Sequence, residues 1–265
     1  MARNMPVSDL VLELIRFSVK VTQMLPFGPS VAERRLQPEL MDRPDLEVDR
    51  HRQALRGLAR INFWSRSANI LWKPLSELQS KTGRRLRVLD IATGGGDVVC
   101  RLARQSLRAD VQLEFAGCDV SPVAVDHARA NARHAELKVE FFVADVLNEP
   151  ISSGFDVVMC SLFLHHLTEE QAVNLMKEMS AKAGSMILIN DLLRGRMGWL
   201  LAQIGTRILS HSPIVHVDGP RSVEGAFNRE EVRQLAARAG LVDMKITECW
   251  PRRFLLAWQK EGPHG

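Results

Sequence analysis

The chain has 265 residues, of which 46% are hydrophobic and 25% charged, with a formal net charge of +4 and four cysteines. That composition excludes a disordered or collagen-like chain. Cys100, Cys118, Cys160 and Cys249 lie far apart with no CxxC spacing, which argues against a disulfide framework or a zinc site and for a reducing, cytoplasmic setting.

Residues 7–25 place Val7, Leu10, Val11, Leu14, Val21 and Leu25 near helical spacing, interrupted by Asp9, Glu13, Arg16 and Lys20. No run approaches the ~18–20 apolar residues of a membrane span, and the charges interrupt what a signal peptide would need. The stretch reads as an amphipathic helix, packed on the domain or in peripheral contact with a membrane surface or a partner. Met5 and Met24 are alternative starts. Pro26 to Pro29 break the helix, and residues 30–48 read as loop. From 49 to 80 the pattern is helical again, with Pro74 expected in the first turn of a second helix. Residues 1–80 therefore read as a helical extension and cap, followed by a core domain over 81–265.

Within the core domain, apolar runs at 86–92, 113–118, 139–144, 155–161 and 185–190 read as strands. Helices are expected over 97–105, 121–135 and 168–181. Thr168 and Gln171 have capping-box spacing, as do Asn228 and Glu231 ahead of a further helix that Gly240 ends. Runs at 245–249 and 254–259 form a closing hairpin. The expected fold is α/β: a doubly wound, mostly parallel seven-stranded sheet with a terminal antiparallel hairpin, plus N-terminal helices.

The segment VLDIATGGGD, at 88–97, runs a buried strand into a glycine-rich turn that opens a helix. Such turns let a ligand approach the backbone closely, at the carboxyl ends of the strands. A dinucleotide fingerprint would need glycine where Val99 stands, and no GK[ST] phosphate loop is present. Acids instead end three strands: Asp90, Asp119 and Asp145. Asp119 is placed to accept ribose hydroxyls in charge-assisted hydrogen bonds. Carboxylates with no phosphate partner suit a cationic nucleoside, the chemistry of S-adenosylmethionine.

Four motifs stand in order: VLDIATGGGD, GCDVSP at 117–122, FFVADVLN at 141–148 and FDVVMCSLFLHHL at 155–167. With these, residues 86–259 resemble the class I S-adenosylmethionine-dependent methyltransferases, in particular the small-molecule and quinone-biosynthesis group. The family's turn is [DE]-x-G-x-G-x-G, and here Ala92 takes the first glycine position while Gly94 and Gly96 match. The resemblance implies that Asp90 with the backbone of Ala92, Thr93, Gly94 and Gly96 holds the methionine end. It implies Asp119 on the ribose, Val120 against the adenine, and Asp145 and the Val146 N–H at the adenine edge. Ser161 and Leu162 would border the sulfonium.

Methyl transfer depends on holding the acceptor in line with the methyl, and a hydroxyl acceptor can need a general base. Asp191, His166 and His165 are the candidates, with His216 in an expected loop. No NPPY or DPPY follows the fourth strand, which disfavours methylation of adenine or glutamine amino groups in resembling enzymes. No metal is expected, since only Asp191 is well placed. The 192–227 insertion, rich in apolar residues, reads as a substrate lid. The expected function is methylation of a small, apolar aromatic or polyketide-like molecule, oxygen being the favoured acceptor. Carbon methylation of a quinone precursor, a nucleic-acid or protein methyltransferase, and a non-catalytic binder of the cofactor stand as alternatives. No nucleic-acid partner is expected, and the chain is read as a monomer or homodimer.

Overall fold

The structure, a computed structural model, describes residues 31–260 apart from Pro44 and Ser152. The helix expected over 7–25 lies outside the described residues. Two helices precede the sheet, α1 (Val48–Trp64) and α2 (Ser67–Thr82). Pro74 lies inside α2 and not in its first turn, because the helix already begins at Ser67. Proline there forfeits one main-chain hydrogen bond. Burial of Leu71, Leu75 and Leu78 along the same helix offsets the loss.

The core alternates as the sequence pattern requires: β1 (Leu86–Ile91), α3 (Asp97–Ala109), β2 (Leu113–Asp119), α4 (Pro122–His134), β3 (Val139–Val143), β4 (Phe155–Ser161), α5 (Glu169–Lys182) and β5 (Ala183–Leu192). It continues with α6 (Arg196–Leu209), α7 (Pro213–Gly225), α8 (Arg229–Arg238), β6 (Lys245–Cys249) and β7 (Arg253–Gln259). The strand order is β3-β2-β1-β4-β5-β7-β6. All pairings are parallel except those of β7, which runs antiparallel to β5 and β6. The expected doubly wound sheet with its closing hairpin is the one observed, and strand order reverses between β1 and β4, where open α/β sheets form their ligand crevice.

Alternate residues of each central strand enter two cores, as the two-residue period of a strand dictates. Leu89, Ile91, Val158, Cys160, Ile187 and Ile189 pack with α5 and α8 on one face. Val88, Val157, Met159 and Leu188 pack with α2, α3 and α4 on the other. The second N-terminal helix is thus part of the central core.

The 192–227 insertion folds into α6 and α7. His216, expected in a loop, lies inside α7. Pro213 opens that helix as a first-turn residue. Gly219 reads as a breaker in sequence, yet it is there for packing: a Cβ on it would stand 2.4 Å from Thr206 Cγ2 of α6.

The described residues of 31–47 form neither helix nor strand ahead of α1, and they are strapped across this region. The Arg34 guanidinium donates to the carbonyls of Gly225 (2.6 Å), His165 (3.1 Å) and Leu167 (2.6 Å). It also lies 3.7 Å from the Phe227 ring centroid. The Leu40 and Met41 N–H groups donate to the Asp218 carboxylate at 2.9 and 3.0 Å. Arg194, buried and paired with Glu231, donates to the carbonyls of Val31 and Ala32. Among the described residues no helix is long and apolar enough to cross a membrane.

Candidate active site

The turn after β1 is built from left-handed residues: Ala92 at φ 52°, Gly94 at 54° and Gly96 at 70°. At Gly96 glycine is needed twice over, for its φ and because a Cβ would stand 2.8 Å from Ala128 Cβ and Phe141 Cζ. At Gly94 nothing lies within 4 Å of where a Cβ would be, so the turn presents an open side to a ligand. Ala92 adopts this conformation at a cost of about 1–2 kcal/mol.

Side chains from two strand ends brace the turn. Thr93 Oγ1 donates to Asp90 Oδ2 at 2.7 Å. The Gly94 N–H donates to Asp119 Oδ2 at 2.8 Å, and the Ser121 N–H to Asp119 Oδ1 at 2.9 Å. Burial raises the Asp119 carboxyl above its ordinary range. Asp90 is fully buried, and desolvation pushes it up to about 7. Its Oδ1 has no hydrogen-bond partner among the described residues. A buried acceptor left unpaired beneath an open glycine turn is what a donor-bearing ligand would satisfy.

The other expected cofactor residues lie along the same edge. Val120 is 62% exposed. Val146 shares a small apolar recess with Cys118, Phe142, Ala144 and Ile151. The Asp145 carboxylate accepts from the Leu147 N–H and from Asn148 Nδ2, inside its own turn. It makes no bond to Asp90 or Asp119. Ser161 Oγ accepts from Asn190 Nδ2 at 2.8 Å. Leu162 follows at φ 59°, held by its N–H to the Asn190 carbonyl at 2.8 Å. A non-glycine residue in that conformation marks a site that the surrounding structure over-determines.

The three catalytic candidates are brought together, but not as independent bases. Asp191 is buried, and both its oxygens are engaged. Oδ1 lies 2.7 Å from His165 Nδ1 and accepts the Leu192 N–H at 2.6 Å, while Oδ2 accepts the His165 N–H at 3.2 Å. It is therefore the partner of His165 and presents no free oxygen to an acceptor. Burial alone would lower the His165 pKa, but Asp191 and Glu39 outweigh it and push it up to about 10. With a carboxylate at each ring nitrogen the imidazolium is the favoured form, and a ring protonated at both nitrogens cannot take a proton. Its Nε2 lies 3.7 Å from Glu39 Oε1 of the strap. His166 stacks on it with ring centroids 4.2 Å apart and turns Nδ1 to Asp42 Oδ2 at 3.2 Å. His216 Nε2 lies 2.7 Å from the Ser210 carbonyl and fastens the α6–α7 turn.

Glu39, His165 and His166 bring one ligating atom each within 4.8 Å of one another, a donor set compatible with a divalent ion. Within that set His165 Nε2 lies 3.7 Å from Glu39 Oε1, while His166 Nδ1 is turned to Asp42. Sequence reasoning missed Glu39, Asp42 and Arg253. Glu39 and Asp42 sit in a segment with no periodicity. Arg253 stands in the hairpin turn of the sequence pattern, although it is 2% exposed in the structure.

Residues 88–182 match the family model described as methyltransferase domain. Over 120 residues the chain is 28% identical to a demethylmenaquinone methyltransferase of Deinococcus radiodurans, covering 44% of this chain and 48% of that protein. Over 125 residues it is 27% identical to a ubiquinone biosynthesis O-methyltransferase of Photorhabdus laumondii, covering 46% of this chain and 50% of that one. The chain thus spans about half the length of the curated relatives it matches. In fold it is similar to the apo form of the S-adenosylmethionine-dependent methyltransferase SibL, with a TM-score of 0.57 and 18% identity, over 96% of this chain and 76% of that one. The matched segment is thus similar to methyltransferase domains, and the curated relatives that it resembles are S-adenosylmethionine-dependent methyltransferases.

Two variants test this geometry. Ala92→Gly should relieve the left-handed strain, offset in part by unfolded-state entropy, and raise unfolding free energy by about 0.5–1 kcal/mol in urea titrations. A loss of stability would contradict the strain. Asp191→Asn should cost about 3–5 kcal/mol at pH 7, because it strands a buried imidazolium. The raised His165 pKa gives stability that is lost as pH rises through about 10. The lowered Asp191 pKa gives stability that is lost as pH falls below the ordinary carboxylate range. The gap between wild type and variant should therefore narrow at both extremes of a pH series.

Proposed function

We propose that this chain transfers a methyl group from S-adenosylmethionine to a small, apolar aromatic or polyketide-like acceptor, with oxygen as the favoured acceptor atom. The observation that carries the reading is the open glycine turn braced by Asp90 and Asp119. Bound S-adenosylmethionine supplies an electrophilic methyl on a sulfonium. Asp119 would accept the ribose hydroxyls with lone pairs that Gly94 and Ser121 leave free. Val120 would lie against the adenine, whose edge would meet Asp145 and the Val146 N–H. Ser161 and Leu162 would border the sulfonium, at the strand end beside the histidine pair.

On the acceptor side Asp191 and His165 form a fixed wall, and the residue available to take a phenolic proton is His166, oriented through Nδ1 by Asp42. Its second ring nitrogen is the candidate base. The α6–α7 pair and the 31–47 strap would exclude water above it. The alternative acceptor, a quinone-precursor carbon activated by its own ring, needs no base; the scarcity of open bases on this wall favours keeping it in view, as does the resemblance to a demethylmenaquinone methyltransferase.

Calorimetry with S-adenosylhomocysteine tests the cofactor half. Asp119→Ala should weaken binding by about 1.5–3 kcal/mol, the scale of hydrogen bonds to a charged group; unchanged affinity would sink the ribose assignment. Labelled methyl transfer to small-molecule extracts, read by mass spectrometry, identifies the acceptor. With a phenol, His166→Ala should lower turnover by about 10²–10⁴-fold while cofactor affinity stays constant. Near-normal turnover in that variant would point to the carbon acceptor.

A further inference from the structure

Arg253 opens β7 and is buried, yet among the described residues it makes no ion pair. Its guanidinium donates to Ser67 Oγ and, at 3.4 Å, to Asn62 Oδ1. Its Nε has no partner among the described residues. A guanidinium carries five N–H donors, so most of its capacity is unspent. A buried cation without a counter-charge within contact is costly, and such groups are normally paired. Asp97 and Asp191 are near enough to be felt electrostatically. Neither serves as the missing partner: Asp191 is committed to His165, and Asp97 is hydrogen-bonded to Asn62.

Three neighbouring features share this spot. α2 starts at Ser67 with no side-chain cap, and Ser67 Oγ accepts from the guanidinium, so the positive end of the helix lies beside it. Arg253 pairs with Leu192 and Leu255 with Asn190, so Asn190 and Arg253 stand on the same face of the sheet. Val88 packs on that face too, which puts Asp90 there by the same alternation. Asn190 Oδ1 and Asp90 Oδ1 are both buried acceptors without partners among the described residues. One layer under α1 and α2 thus holds unsatisfied acceptors at one end and an unsatisfied cation at the other. That is the complement of an ammonium beside a carboxylate.

We propose that Arg253, aimed by Asn62 and Ser67 at the first turn of α2, is a buried carboxylate-binding site that receives the amino-acid end of the cofactor. This inference rests on the cofactor reading given above. A carboxylate on the methyl acceptor has the same chemistry, and the test separates the two sources.

The experiment is calorimetry on the full chain with two probes, S-adenosylhomocysteine and 5′-methylthioadenosine, the second lacking the amino acid. Arg253→Met should weaken S-adenosylhomocysteine by about tenfold or more and leave 5′-methylthioadenosine unchanged. The unliganded variant should melt no lower than wild type, because an unpaired buried charge has been replaced by an apolar chain of similar length. Asn62→Ala keeps the cation but loses its aim, and should weaken S-adenosylhomocysteine several-fold; it decides the matter if Arg253→Met does not fold. If S-adenosylhomocysteine binds both variants normally, while benzoate binds the wild-type complex and not the Arg253→Met complex, the site is a carboxylate site for the acceptor and the cofactor source is overturned. Equal binding of every probe by wild type and variants, with or without a drop in melting temperature, overturns the site altogether. Wild type that binds no S-adenosylhomocysteine removes the cofactor reading first and this inference with it.

Discussion

The buried pair of Asp191 and His165 is the contact on which the proposed acceptor side of the molecule depends. One carboxylate at the end of β5 receives the His165 ring, the His165 N–H and the Leu192 N–H, and so joins β5 to the turn that follows β4. The other side of the ring faces Glu39, which accepts a hydrogen bond from Ser222 of α7. Strap, insertion and sheet edge therefore meet at one imidazolium. Such a pair contributes little net stability over an apolar replacement, but removing one partner is costly. Its consequence is geometric: the wall beside the proposed sulfonium position is held by protein contacts alone, with both His165 ring nitrogens facing carboxylates.

The cofactor half rests on a different economy. Three left-handed residues turn β1 into α3, and the turn is held by Thr93 to Asp90 and by Gly94 to Asp119. Backbone strain at Ala92 is retained within a network that over-determines it. On one face of the sheet, Asp90 Oδ1, Asn190 Oδ1 and Arg253 Nε have no hydrogen-bond partner among the described residues. Few buried polar groups in folded proteins lack partners, so their concentration in one layer is the clearest sign of where a polar ligand end belongs.

Much of the fold was legible because its central strands β1, β4 and β5 are buried on both faces and read as continuous apolar runs, and because Thr168 and Asn228 carry complete capping boxes. The sheet edge that carries the glycine turn and the strand-end acids was legible for a related reason: such residues at strand ends have few structural alternatives. Local punctuation misled where tertiary contact overrode it. Pro74 was expected near a helix start and sits inside α2, and the Gly219–Pro220 pair that reads as a loop lies within α7 because α6 must pass close by. Asp191 stood out as a possible base, and only the structure shows that its oxygens are spent on His165. Glu39, Asp42 and Arg253 carry no local signal at all, since their partners are distant in sequence and a charged residue in a loop or turn reads as solvated.

The account stands most directly on the protonation state of His165. Ring-nitrogen chemical shifts of histidine, followed by NMR over a pH series in wild type and in His165→Gln for assignment, measure it. The account predicts that His165 keeps both ring protons through neutral pH and titrates only toward about 10. Loss of a ring proton near the ordinary histidine value of 6.5 would contradict it, and would return His165 to the set of available bases.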